Sequence, residues 1–592
     1  ADVLKDRTFR DLDFTELTHD YNVTQVQLSW NDSGGGSGLT YINPNTSGFR
    51  DSYTTLKYPF VNWTNQYTIN PTSINLPNLE STFRPFINIK YILDRIFNAP
   101  NTPFTYSSDF FDTADFEKLY MDFNWGADNA PATSQNSANN IYYNGSASNY
   151  APNGTFGNFE LINNMTQVNY DTTTNKFTET TNNVKYDITY YYEMRVKIAS
   201  SEYSSRWLIT RAATGLEEEV DLVVMQSAGA VDNVFGFGGS ISVILQIGDT
   251  LEAQFSSNTT NGIVQNYDVY GSPPAITSTV TVVKTILSIT TDTLLQTLRG
   301  ELGQWDFIKG LMTMFNLVAL ADENNPENII IEPYQDIFIT PALTTTPLNW
   351  TDKIDVSEMK LEPLTELNKN TIFKFVEDDD DFAFTNYKNQ VGGHLYGSKK
   401  YNAGNEFNIL DGLDEIVAEP FAATVVKPIM PEYPNLITPA LYSYNSDDGT
   451  SEGFDNSPRI MYNNGIKSTG VDCYVPAQNG SGAVYLTSFL QFSHLSDIPT
   501  VTGSIDFHFG ECQLLVGAST PNNLFSMYWL PYYNELYNPN TRIMTIKVNL
   551  SPSDINTFKF NDTVLLKNRV FRVNKIDYKP NDLAKVEFIL IP

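Results

Sequence analysis

Apolar residues recur along most of the chain in short runs broken by Gly, Asn, Asp and Pro. Runs of that length between turn residues predict strands rather than long helices. Up to about residue 80 the runs include VTQVQLSW (23–30) and YPFVNW (58–63). Helical spacing then shows twice: Phe86, Ile89, Leu93, Ile96 and Phe97 share one face behind Pro85, and Phe116, Leu119, Tyr120 and Phe123 do so within Thr113–Phe123. From 127 to about 154 charges are few and no period appears, which predicts a linker. Residues 155–290 return to β-like segments, such as YDITYYYEMRVKIAS (186–200), RWLITRA (206–212) and STVTVVKTILSI (278–289). Their spacing predicts a β-sandwich. A helix follows over Gln304–Val318, apolar on most sides, and then a strand, IIIEPYQDIF (329–338). From about 370 to 592 the pattern is again mainly β, with one helical island at NLFSMYWLPYYNELYN (523–538). The expected fold class is therefore mainly β with a few helices.

Length and composition narrow the function classes. A chain of 592 residues implies several domains, and 41% hydrophobic residues can build real cores. Aromatics at 13% agree with a strand-rich fold. The 68 acidic residues against 37 basic give a net charge of −31, which disfavours gripping nucleic-acid phosphate or anionic lipid. Cys473 and Cys512 make no disulfide framework and are expected to be buried thiols. ADVLKDRTFRDLDF at the start has no apolar signal region, and no apolar run is long enough to span a bilayer.

Candidate chemistry is sparse. SGGGSG (33–38) lacks the Lys-Ser/Thr of a phosphate-binding loop and reads as a loop. His19, His394, His494 and His508 are scattered without metal-site spacing, so a histidine-based zinc site is not expected. Neither a Gly-x-Ser-x-Gly elbow nor a catalytic-cysteine sequence is present. No cofactor and no enzymatic activity are expected. The most charged stretch, FVEDDDDFAFTNY (375–387), carries Glu377–Asp381 in a row. It fails the EF-hand pattern, which needs Gly at the sixth and Glu at the twelfth position. The expected form is a hairpin tip between NTIFKF (370–375) and FAFTNY (382–387), with carboxylates fanned into water. The alternatives are a loose Ca²⁺ site, with Asp378, Asp380 and Asp381 as candidate ligands, and an acidic docking surface. In the sandwich, Tyr203, Trp207 and Tyr270 are candidates for stacking on a glycan, with core or rim packing as the plainer role.

Several phrases taken together resemble a known family. They are QWDFIKGLMTMFNLVALADENNPENIIIEPYQDIF (304–338) with NWTDKID (349–355), FKFVEDDDDFAFTNY with LYGSKKY (395–401), and LFSMYWLPYYNELYNPNTRIMTIKVNLSPSDI (524–555) with NDTVLLKNRVFRVNKIDY (561–578). Over about 80–125 and 300–592 the chain resembles the baseplate hub, or tail-associated, proteins of long-tailed bacteriophages of Bacteroidota-type hosts. The resemblance implies tandem β-barrel hub domains carrying an inserted, jelly-roll-like β-sandwich. The phrase ISVILQIGDTLEAQF (241–255) is similar to late jelly-roll strands. The implied organisation is a first hub part over 1–126, a linker over 127–154, the inserted module over 155–290, a return to the hub over 291–370 and a second hub barrel over 371–592. The implied function is structural: a homotrimer closing the tail tube at the virion's tail tip, assembled in the host bacterial cytoplasm. Partners would be the tail tube, the tape-measure protein and other baseplate proteins, with DNA only as transiting cargo. A channel for DNA fits the acidic balance. The alternatives are a peripheral receptor-binding tail protein recognising host surface glycan, and a cell-wall or polysaccharide hydrolase. The C-terminal strand KVEFILIP, with no appended domain, argues against the hydrolase.

Overall fold

A computed structural model describes residues 3–31, 55–126 apart from 71–72 and 100–101, 291–295, 298–510 apart from 364–366, 408, 435 and 477–483, and 519–591 apart from 581; between 127 and 290 it describes the strands named below and part of their turns. Strands make up 43% of the chain and helices are few, so the fold is mainly β. Among the described residues, three separate hydrophobic cores organise it.

The largest core joins distant parts of the chain: residues 4–125, 289–331 and 373–537 all contribute to it. Its sheet runs in the order Leu56–Lys57, Phe86–Asn88, Leu119–Asp122, Ile460–Val475, Ser73–Asn75, Thr68–Asn70, with Val484–Ser493 also paired to Ile460–Val475. The helix Ile89–Phe97 forms at the predicted apolar face, and the Asn88 side chain caps it by accepting from the Lys90 and Tyr91 amides. The second predicted helix does not form. Within Thr113–Phe123 only Phe116–Lys118 makes a 3-10 turn, and Leu119–Asp122 is a strand buried on both faces. A strand covered on both sides loses its alternation and reads like a helix face. The run at 23–30 is likewise resolved as the helix Val23–Leu28, capped by Asn22.

The helix Gln304–Phe315 crosses the strand Leu413–Ala422 at close range. A Cβ on Gly310 would stand 2.5 Å from both the Glu419 carbonyl oxygen and the Phe421 ring, so only glycine allows this crossing. The predicted continuation to Val318 is cut at Asn316, which turns left-handed at φ 49° and releases the strand Leu317–Ala321. The strand expected over 329–338 ends at Pro333, and Gln335–Ile339 is a π-helical turn.

The second core lies between two sheets. One runs Glu160–Leu161, Thr133–Tyr142, Thr279–Ile286, Val184–Val196, Asn233–Leu245; the other runs Tyr170–Asp171, Lys176–Thr178, Thr250–Ser257, Glu202–Thr210, Glu217–Gln226. Val184, Tyr186, Ile188 and Tyr190 point inward at every second position to meet Phe177, Trp207, Ile209 and Leu251. The stretch 127–154, expected as linker, contains the strand Thr133–Tyr142, paired along the whole of Thr279–Ile286. Its Ser, Asn and Ala content hid the strand behind a loop-like composition.

The third core belongs to a six-stranded sheet, in the order Leu348–Asn349, Thr563–Leu566, Arg569–Asp577, Ala584–Leu590, Arg542–Val548, Ile354–Pro363. Its two edge strands are consecutive in the chain. Arg572 ties it to the main body through a two-point contact with Glu535, at 2.7 and 3.2 Å, and by donating to the Phe338 carbonyl. SGGGSG (33–38) and Cys512 lie outside the described residues, and Cys473 is a buried free thiol.

Candidate functional site

The acidic run is not a hairpin tip. The strand Asn370–Val376 alternates as expected, burying Phe373 and Phe375, but Phe382–Gln390 is a helix. Asp381 is its N-cap, accepting from the Phe384 amide at 3.0 Å. The FAFTNY alternation that suggested a strand sits in a helix whose Ala383, Phe384 and Tyr387 face inward. Nor do the carboxylates fan into water together. Glu377 pairs with Lys388 at 2.7 Å, and Asp379 and Asp380 are exposed. Asp378 and Asp381, three residues apart, turn inward onto one guanidinium, that of Arg459.

Arg459 is 1% exposed and links two halves of the molecule. Asp378 accepts from its Nη2 and from the Ser457 amide and hydroxyl at 3.0 and 2.6 Å; Asp381 Oδ2 lies 3.3 Å from the same Nη2. On its other side the Arg459 amide donates to Asp122 Oδ1 at 2.6 Å. Asp122 Oδ2 accepts from Arg299 at 2.6 Å, Asn124 at 2.9 Å and Asn456 at 3.1 Å. Arg299 also donates to the Asp122 and Asn456 carbonyls. The result is a buried ionic seam of three carboxylates and two guanidinium groups. Asp381 is the least well served member. Burial pushes its carboxyl up to about 6 against the pull of Arg459, and its Oδ2 accepts no hydrogen bond. Glu377, held by Lys388 at the surface, moves below the usual carboxylate range.

This geometry replaces the Ca²⁺ reading of Asp378, Asp380 and Asp381. A cation already stands between Asp378 and Asp381, and it is a fixed guanidinium; Asp380 points elsewhere, into solvent. Nothing in the sequence around the acidic run points to Asp122, Arg299 or Arg459 as partners. They lie far apart in the chain, and a buried arginine has no local signature.

A second cluster lies nearby. His494 Nδ1 is 2.8 Å from Asp506 Oδ1 and His494 Nε2 is 2.9 Å from the Tyr396 hydroxyl, while the His508 amide donates to Asp506 at 2.9 Å. Ligand atoms of His494, Asp506 and His508 fall within 4.8 Å of one another, a separation that suits a metal. Ring orientation does not suit one. The two imidazoles stack with centroids 4.1 Å apart and planes 12° from parallel. Nitrogen lone pairs lie in the ring planes, so two stacked rings do not converge on one ion at the ~2.1 Å a zinc–nitrogen bond needs. Burial, with His494 and Arg459 close by, holds His508 neutral, well below the usual histidine range. The cluster is a hydrogen-bonded Tyr396–His494–Asp506 chain capped by a neutral ring.

Of the three glycan candidates, Trp207 is the one whose side chain lies among the described residues. Trp207 is 1% exposed in the sandwich core, where it packs on Phe177 and Tyr190, so it offers no face to a sugar. Tyr203 lies in the strand Glu202–Thr210 with its side chain outside the described residues, and Tyr270 is outside them altogether.

No family model matches the chain, and no curated protein matches it. Among solved structures it is similar to the globular domain of zebrafish complement 1qA protein, at 11% identity over 26% of this chain and 98% of that one, with a TM-score of 0.16. It is also similar to murine APRIL, at 7% identity over 25% of this chain and 99% of that one, with a TM-score of 0.18. Likeness at that level carries no argument about function. No helix among the described residues is long and apolar enough to cross a membrane.

Proposed function

We propose that the protein is a structural, non-enzymatic baseplate hub component of a phage tail tip, acting as a homotrimer. The observation that carries this reading is where the family-like phrases meet. Helix Gln304–Phe315, the turn Gln335–Ile339 and the helical stretch 525–536 pack together: Trp529 donates to the Thr313 carbonyl, Asn316 donates to the Tyr528 carbonyl, and Tyr334 packs on Tyr532. Arg572, from the last of those phrases, joins the same junction. Segments spread over nearly 300 residues thus form one frame, the kind of body a hub needs. In this reading the six-stranded sheet faces the tube and the sandwich is a jelly-roll-like module carried outward. The tail tube, tape-measure and baseplate proteins are its partners, and DNA passes only as cargo.

Light scattering on the purified chain tests the assembly, and electron microscopy of particles with a labelled antibody tests the position. A three-chain mass and label on the tail axis are expected. A monomer at every concentration would overturn the hub, and label at the periphery would point to a receptor-binding tail protein.

A further inference from the structure

The six-stranded sheet ends on an open edge. Ile354–Pro363 is its last strand, and among the described residues no other strand pairs with its outer side. A row of core-facing side chains runs out to this edge. Val573, Phe588, Met544 and Leu361 stand opposite one another on neighbouring strands, with exposures of 5, 0, 7 and 57%. The core thus continues past its cover. Val356 and Met359, on the same strand, are also more than half exposed. The pairing with Arg542–Val548 slips between Asp355 and Lys360, so 356–359 bulge against Ile546 and the regular edge is 360–363.

This short edge is self-complementary. Side chains alternate along it, with Leu361 and Pro363 on the core-facing side and Lys360 and Glu362 on the other. Lys360 Nζ lies 2.6 Å from Glu362 Oε1 within the chain, and both side chains are exposed. When two identical strands pair antiparallel, the two-fold axis is perpendicular to the sheet and passes through a residue that meets its own copy. With the axis at Leu361, Lys360 stands opposite the partner's Glu362, once on each side of the axis. One face then carries four alternating charges, and the other carries two leucines in contact. Moving the axis back to Lys360 sets Glu358 against the partner's Glu362. Like charges directly opposite are unfavourable, so charge selects the Leu361 register. Lysine and proline commonly guard an edge strand against pairing. Here the lysine is matched by a glutamate, and the proline stands at the end of the edge.

We propose that Ile354–Pro363 pairs edge to edge with the same strand of a second copy of this chain, antiparallel about Leu361. The contact covers the open end of the third core and joins the two sheets into one. It is two-fold, so it is distinct from a threefold assembly, links two units of whatever size, and does not depend on the hub reading.

Sedimentation of the full chain over a concentration series tests it, with Lys360→Glu, Glu362→Lys, the double swap and Leu361→Cys as variants. All three positions are exposed, so the variants should fold, and melting curves check this. The mean mass of the parent should double as concentration rises, whether the underlying unit is one chain or three. Each single swap sets two like-charged pairs across the axis and should raise the midpoint of the doubling about tenfold, while the double swap should restore it. Mild oxidation should link Leu361→Cys into disulfide-bonded dimers and leave Val356→Cys unlinked, because only a residue on the axis meets its own copy within bonding reach. No doubling at any concentration, single swaps without effect, a double swap no better than the singles, or equal cross-linking at both positions would overturn the proposal. A threefold mass step without a twofold one would support the hub and overturn this contact.

Discussion

Replacing Asp381 with Asn should stabilise the protein at neutral pH, although Asp381 is buried beside an arginine. Its carboxyl is raised from 3.8 to about 6, because burial costs the charged form more than Arg459 returns. A shift of about two units corresponds to about 3 kcal/mol lost to ionisation. Asn keeps the acceptor for the Phe384 amide, so the helix cap survives. It adds one amide donor beside Arg459, which costs about 1–2 kcal/mol. The net expectation is a gain of about 1–2 kcal/mol. The sign with pH follows. A raised carboxyl pKa favours folding fully below 3.8, and that benefit is lost as pH rises through about 6. The advantage of the Asn variant should therefore be smallest near pH 4, grow through that window and level off above it. Scanning calorimetry of both proteins across that range measures it. A variant less stable than the parent at neutral pH, or a difference that ignores pH, would refute the argument.

Asp378→Asn should do the opposite and destabilise by about 3 kcal/mol, because Arg459 would keep only its longer carboxylate contact; urea unfolding beside the Asp381 variant gives the contrast. Gly310→Ala should destabilise by about 2–4 kcal/mol or prevent folding, since its Cβ would meet the Glu419 carbonyl and the Phe421 ring; soluble yield and melting temperature report it. His19 is buried with its pKa lowered to about 4, so stability should fall by about 3 kcal/mol as pH drops from 6.5 to about 4. His19→Gln should flatten that slope in a pH series of melts.

Much of the architecture was legible where polar residues mark an element's period. The sandwich strand alternates cleanly over Val184–Tyr191 because only one side meets the core, whereas Ile89–Phe97 is largely buried and was legible because Lys90, Asp94 and Arg95 interrupt its apolar residues at helical spacing. Legibility failed where burial is two-sided, as at Leu119–Asp122, and where small polar residues build a strand, as at Thr133–Tyr142. The acidic run shows a third limit. Five like residues in a row have four different fates, decided by Lys388, Ser457 and Arg459, none of which is visible from the run itself.

The seam around Asp122 also has a mechanical meaning. Asp122 lies shortly before the chain leaves for the sandwich, and Arg299 lies shortly after it comes back. The return is fixed earlier still, where Ser288–Ile289 pairs with His19–Asp20 directly after the last sandwich strand. Outgoing and incoming chain are thus riveted to each other and to the body at the module's root. A pull on the sandwich would load a buried ion pair and a strand pairing together rather than lengthen a tether. Force applied anywhere on the sandwich therefore arrives in the frame.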